Sequence, residues 1–192
     1  MKVGVLALQG DFLEHQQILA GLSVEAPTVR LAEHLDGLDG LIIPGGESTT
    51  MGKLAVDFGL MEPLRTFAQA KPVWGTCAGS ILLSKDARRQ QPLLGVMDIQ
   101  VERNAFGRQV DSFEMDISFP ILAPFSDENP PFHAVFIRAP LIEQVEKDAE
   151  AIGWLPDGAI VAARQGHLLA TSFHPELTAD NRFHRYFLEI IQ

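Results

Sequence analysis

Apolar residues fall into short continuous runs in the first half of the chain and into shorter, broken runs in the second. Residues 3–8 are almost entirely apolar and are closed by Gln9, Gly10 and Asp11. That is the pattern of a strand covered on both faces in a parallel sheet. Asp11 can cap the next segment, where Phe12, His15, Ile18, Leu19 and Leu22 recur at helical spacing. The unit then repeats. Residues 40–44 form an apolar strand ended by Gly45-Gly46, and 48–58 form a capped helix with Met51, Leu54, Ala55 and Phe58 on one face. Further helix is predicted over 61–69, a third buried strand over 72–74, a tight turn over 75–79, and a helix starting at 78–83.

From residue 96 the character changes. Residues 96–101, 110–119, 134–137, 159–163 and 167–173 are predicted strands joined by short turns, some of them antiparallel. Residues 182–191 form a closing amphipathic helix with Phe183, Tyr186, Phe187 and Ile190 inward. Residues 85–92 and the proline-rich 120–131 are expected surface loops. Strands alternating with helices imply an α/β fold: a doubly wound, mixed but mainly parallel sheet flanked by helices. A length of 192 residues supports one domain, 1–192, with its own core.

Composition narrows the function classes. The chain is 46% apolar and 21% charged, as ordinary globular proteins are. A formal net charge of −10 argues against nucleic-acid binding, which needs clustered Lys and Arg. The N-terminal apolar run is far too short for a signal-peptide core or a membrane span, so no membrane role is expected. Cys77 is the sole cysteine, which rules out an intramolecular disulfide and makes the cytoplasm the expected compartment.

Gly75-Thr76-Cys77-Ala78-Gly79 follows an apolar strand and opens a helix, the context of a nucleophile elbow. Flanking glycines allow a sharp turn that thrusts the central side chain outward. The helix N-terminus favours an anion there, and the N–H of Ala78 offers a donor to an oxyanion. A thiol nucleophile needs a base. His15 is expected on a helix face, His34, His133 and His184 in loops or at the surface, and His167 in a turn, all with structural roles. His174 stands apart because it ends an apolar strand and is followed by Pro175-Glu176. In an extended segment residues two apart share a face, so Glu176 can orient His174.

Residues 44–50, Pro-Gly-Gly-Glu-Ser-Thr-Thr, form a second glycine-rich turn between strand and helix, able to add backbone donors beside the elbow. It lacks the lysine of a phosphate loop. Residues 101–111 are a polar run that by itself reads as a hairpin with a solvated face, though its groups could hold the charged ends of an amino acid, and Arg138, at the end of an apolar strand, is equally a surface charge or a carboxylate clamp.

At these residues the chain resembles the class I (triad) glutamine amidotransferases, a flavodoxin-like family, and within them the glutaminase subunits of pyridoxal 5′-phosphate synthases. The resemblance covers residues 5–11, 44–50, 75–79, 101–114, 136–140 and 173–178. It implies Cys77 as nucleophile, His174 as base and Glu176 as its orienting partner. It further implies that Gly46, Glu47, Ser48, Arg103, Ile137 and Arg138 contact L-glutamine, and that Gly46 and Ala78 form the oxyanion hole. No cofactor and no metal are expected. The implied partner is a barrel-shaped synthase subunit that receives ammonia within a hetero-oligomer. Docking there is expected to complete the oxyanion hole by turning the Gly45-Gly46 peptide, near Gln9 and Gly10. The alternatives are a glutaminase subunit serving histidine or nucleotide synthesis, and a non-catalytic binding module of the same superfold. Two departures from the family pattern stand out: Ser80 in place of a larger apolar residue, and a longer, proline-rich segment over 120–133.

Overall fold

The computed structural model describes residues 1–103 and 112–192. In chain order its elements are β1 (Val3–Leu6), α1 (Phe12–Gly21), β2 (Thr28–Val29), β3 (Gly40–Ile43), α2 (Ser48–Asp57), α3 (Met61–Ala70), β4 (Val73–Thr76), α4 (Ala78–Leu83), β5 (Ser84–Asp86) and β6 (Met97–Glu102). There follow β7 (Ser112–Ile117), β8 (Phe132–Ile137), β9 (Leu141–Val145), β10 (Glu150–Trp154), β11 (Ile160–Gln165), β12 (Leu168–Thr171) and α5 (Arg182–Ile191). Single 3-10 turns lie at Ala32–Leu35, Pro120–Phe125 and Pro175–Leu177.

The main sheet runs β2-β1-β3-β4-β12-β11-β9-β6-β5, with β10 paired to β11, while β7 and β8 form a separate antiparallel pair. Pairing from β2 through β12 is parallel, as is β5 with β6, and the pairs around β11 and β9 are antiparallel. This is the doubly wound, mixed and mainly parallel arrangement that the alternation of apolar runs predicts.

Period-two packing explains why the central strands read as continuous apolar runs. Leu41 and Ile43 face one core with Val73, Leu168 and Ala170; Ile42, Trp74 and Leu169 face the other. Met51, Ala55, Leu64, Ala68 and Leu82, from α2, α3 and α4, cover the first face. Leu19 of α1 and Phe183, Tyr186 and Phe187 of α5 cover the second. Trp74, Phe183 and Phe187 are fully buried, and truncating one of them to alanine costs about 3–5 kcal/mol.

The second half departs from expectation in several places. β9 and β10 lie in a stretch where no element was predicted, because each buries only one of its five residues and carries a glutamate. β5, starting at Ser84, runs into the expected loop at 85–92, and the proline-rich segment contains the turn Pro120–Phe125. His184 was expected in a loop or at the surface, yet it lies on the buried face of α5. Of the polar run at 101–111, and of the strand predicted over 110–119, residues 104–111 lie outside the described residues.

A candidate active site at the carboxyl ends of the parallel strands

Three adjacent parallel strands deliver the candidate residues to one edge. In register, Ile43 of β3 lies beside Gly75 of β4, and Thr76 of β4 beside Thr171 of β12. The chain leaves these strands at Pro44-Gly45-Gly46, at Cys77 and at Ser172-Phe173-His174 respectively, which is where ligands of open α/β sheets bind.

Cys77 sits at φ 47° and ψ −107°, strained for a residue with a side chain and consistent with an elbow. The turn closes because Gly79 packs on β3: a Cβ there would lie 2.0 Å from the carbonyl oxygen of Ile43. The backbone is pinned by Cys77 N donating to Thr171 O at 2.8 Å. Ser80 explains its own departure from the apolar pattern, since its buried hydroxyl donates to Cys77 O at 2.7 Å. Ala78 heads α4, so its N–H has no partner within the helix.

His174 is held from below by its N–H donating to Val135 O of β8 at 2.8 Å. Its Nδ1 meets Glu176 Oε1 at 2.7 Å, the predicted pairing, but for a different local reason. Pro175–Leu177 is a 3-10 turn, not extended chain, so the turn folds Glu176 back beneath the imidazole. Burial works against a charged imidazole, but hydrogen bonds with Cys77 and Glu176 outweigh it and raise the His174 pKa to about 10. Burial also raises the Glu176 carboxyl above its usual range, against the lowering effect of its bond to His174.

Gly45 allows this packing, because a Cβ on it would come within 2.4 Å of His174 Cε1. The carbonyl of Gly45 accepts from Asp11 N at 3.2 Å, which fixes the orientation of the Gly45-Gly46 peptide. Asp11 makes no side-chain cap on α1, contrary to expectation; its carboxylate lies 3.5 Å from His174 Nδ1. Asp11, His174 and Glu176 each offer an atom within 4.8 Å of the others, but His174 Nδ1 is already committed to Glu176, so the trio orients an imidazole.

A cavity of about 500 Å³ opens over Cys77 and His174 and is bordered by Gly46, Glu47, Ser48, Ala78, Arg103, Ile137 and Arg138. Every predicted site residue except Glu176 therefore lines one pocket, and Glu176 lies directly behind it. Sequence reasoning did not assign Asp11, Ile81 or Pro140 to this lining, and it placed Gln9 only near the partner interface. Gln9 had a signal in the turn after β1: its Oε1 accepts from Glu47 N at 2.6 Å.

The charged rim is ordered from within. Glu47 caps α2, accepting from Thr49 N at 3.2 Å and Thr50 N at 2.7 Å, and meets Arg103 at 2.7 Å. Burial works against its charge, yet the donors of Thr50, Thr49 and Arg103 bring its carboxyl down to about 2. Arg103 also donates to Thr49 Oγ1 at 2.6 Å and Gln91 Oε1 at 3.1 Å. Arg138, at φ 43°, has no hydrogen-bond or ionic partner among the described residues. It presents a cation to the cavity.

A thiol on a strand-to-helix elbow, facing a carboxylate-oriented imidazole at the strand ends, is the apparatus of an amide-cleaving thiol enzyme. The SNO glutamine amidotransferase family matches residues 5–192, and the chain belongs to that family. It is 56% identical over 193 residues to the pyridoxal 5′-phosphate synthase subunit PdxT of Moorella thermoacetica, covering 100% of both chains. It is 58% identical over 193 residues to that of Herpetosiphon aurantiacus, covering 98% of this chain and 99% of the relative. A solved structure described as a glutamine amidotransferase superposes with a TM-score of 0.89 at 50% identity, covering 98% of each chain. PurLQS from Thermotoga maritima, at 13% identity, covers 100% of this chain and 98% of its own with a TM-score of 0.73, a likeness of fold alone.

Proposed function

We propose that this chain is a glutaminase that hydrolyses L-glutamine to L-glutamate and ammonia for a pyridoxal 5′-phosphate synthase subunit. The observation that carries the reading is the convergence of Cys77, His174 and the charged groups Arg103 and Arg138 on one cavity, with Glu176 bonded to His174 behind it. Full-length relatives more than 50% identical, named as subunits of that synthase, support the choice of partner.

The chemistry proceeds in two halves. The Cys77 thiolate attacks the carboxamide carbon, and the charge gathers on the oxygen, which meets the N–H groups of Ala78 and Gly46. His174, an imidazolium at neutral pH, gives its proton to the departing nitrogen as the C–N bond breaks. Ammonia leaves and a γ-glutamyl thioester remains. His174, now neutral, takes a proton from water, whose oxygen attacks the thioester carbon. The C–S bond breaks, releasing glutamate and restoring the thiolate–imidazolium pair. Gly46, Glu47, Ser48, Arg103, Ile137 and Arg138 hold the amino acid, with the arginines suited to its carboxylate.

Ammonia set free in bulk water is protonated and lost, so the reaction serves biosynthesis only within a complex. The chain acts as one domain in a cytoplasmic hetero-oligomer with the barrel-shaped synthase subunit, and needs neither nucleic acid nor membrane. Among the described residues no helix is long and apolar enough to cross a bilayer. Because Asp11 N holds the Gly45 carbonyl, docking near Gln9 and Gly10 is a way to turn the Gly45-Gly46 peptide and aim the Gly46 N–H into the hole.

The test is glutamate and ammonia release from glutamine by the wild type and Cys77→Ala, with and without the synthase subunit. Release that depends on Cys77 and rises with the synthase is expected. No release in any mixture overturns the glutaminase reading, and release unchanged by the synthase overturns the role given to docking.

A further inference from the structure

Behind Glu176, on the side away from the cavity, lies a dry pair of histidines that the mechanism above does not use. His15 of α1 and His184 of α5 are both fully buried, with His15 Nδ1 and His184 Nε2 2.9 Å apart. His15 Nε2 lies 3.3 Å from Glu176 Oε2 and 3.3 Å from Thr76 Oγ1, the hydroxyl next to Cys77. Trp74 clamps both imidazoles edge to face, with ring centroids 5.7 Å from His15 and 5.0 Å from His184.

We propose that His15 is a positioning residue of the triad, holding the second oxygen of Glu176 through its Nε2–H while His184 fixes the tautomer that makes this possible. The proposal rests on the glutaminase reading of the site. Its first support is bookkeeping of donors. Glu176 Oε1 is taken by His174, whereas Oε2 makes no formed hydrogen bond among the described residues; His15 Nε2 lies beside it at 3.3 Å, also within reach of Thr76 Oγ1. A buried carboxylate oxygen without a donor is costly, whereas a shared N–H at this distance offsets part of that cost.

The second support is the tautomer. A proton on His15 Nε2 leaves Nδ1 as an acceptor, so His184 must donate from Nε2 and leave its own Nδ1 bare. His184 Nδ1 is without a partner, and a bare buried acceptor is tolerated better than a buried N–H with nothing to bond. The reverse assignment strands an N–H on His184 and turns a lone pair of His15 toward a carboxylate. Burial lowers the pKa of both rings, helped at His15 by His184 and His174, so the pair stays neutral beside the carboxylate. Glu176 is faced by His174, His15 and Asp11, and His15 by His184, His174, Glu176 and Thr76. Two helices from opposite ends of the chain thereby lock a residue of the elbow's partner turn.

The experiment uses the full chain with its synthase subunit and glutamine. His15→Leu keeps bulk without a donor, whereas His15→Gln carries an N–H to the place of Nε2. Loss of the donor in His15→Leu is expected to lower kcat about 10- to 100-fold with KM nearly unchanged. It is also expected to move the acid limb of the pH–rate profile to higher pH, because a carboxylate that loses a donor binds its proton more tightly. His15→Gln is expected to recover most of the rate and the original limb. A His15→Leu enzyme with wild-type kcat overturns the proposal, as does one whose loss is uniform across pH and unrelieved by glutamine at position 15. Where His15→Leu does not fold, the ring ¹⁵N shifts of His15 in the wild type decide instead: the Nε2–H tautomer between pH 5.5 and 8 upholds the proposal, and the Nδ1–H tautomer or an imidazolium overturns it. A wild type inactive with its synthase overturns both the glutaminase reading and this one; an active wild type with an unaffected His15→Leu overturns this one alone.

Discussion

The two sides of Glu176 are built from opposite materials. Toward the cavity stand charged, solvent-reached groups, Asp11, Glu47, Arg103 and Arg138, of which Glu47 and Arg103 are paired and Asp11 meets His174. Away from it stand two neutral, fully buried histidines and a tryptophan, with α1 and α5 packed against them. The wet side can exchange partners when a substrate arrives, since an ion pair of Glu47 with Arg103 gives way to a substrate carboxylate at little net cost. The dry side cannot rearrange without leaving further buried polar atoms unpaired. Precision in the triad therefore comes from behind, and recognition from in front.

The comparison is broken most severely at the point where the two sides meet. Gly45→Ala drives a methyl group to within 2.4 Å of His174 Cε1 and 2.9 Å of its Nδ1, so the imidazole must leave its present position. We expect kcat to fall by about 100-fold or more, as a misplacement near 1 Å does, while the unfolding transition stays cooperative. Steady-state assays with the synthase, paired with a urea titration, check this.

A smaller effect is expected on the wet side alone. Arg103→Ala removes a cation that lines the cavity and is bonded to Glu47, Thr49 and Gln91. KM for glutamine should rise about tenfold, the worth of one charged hydrogen bond, with kcat changed far less. Initial rates across a glutamine series separate the two.

The dry side should reveal itself in acid. His184 is held down at about 3 and His15 well below 6.5, whereas both titrate near 6.5 once unfolded. Below pH 6.5 the unfolded chain therefore binds more protons than the native one, and stability falls as pH falls from 6.5 toward 3. His184 contributes about 1.4 kcal/mol per pH unit within that window and nothing above it, and His15 acts in the same direction. Urea titrations between pH 4.5 and 6.5 should show a slope that His184→Phe reduces by one proton.

Legibility in the sequence followed the distance over which each feature is encoded. The elbow and the His-Pro-Glu turn are local, and both could be read from spacing, even though the turn proved to be 3-10 where extended chain was expected. The parallel core was legible because strands buried on both faces carry unbroken apolar runs. β9 and β10 were not, because each is half exposed and the β10 pairing is interrupted by register shifts around Gly153. The His15–His184 pair joins residues 169 apart in sequence, and nothing local marks either as more than a helix-face histidine.

The most direct test of the central claim, that Cys77 is a nucleophile armed by His174 toward a glutamine carboxamide, is covalent capture. The complex with the synthase is treated with a glutamine analogue bearing a chloroketone in place of the amide, and the adduct is mapped by mass spectrometry. The expected result is one adduct, on Cys77, formed more slowly in His174→Ala and blocked by excess glutamine. An adduct that forms at the same rate in His174→Ala, or that glutamine does not block, would contradict it.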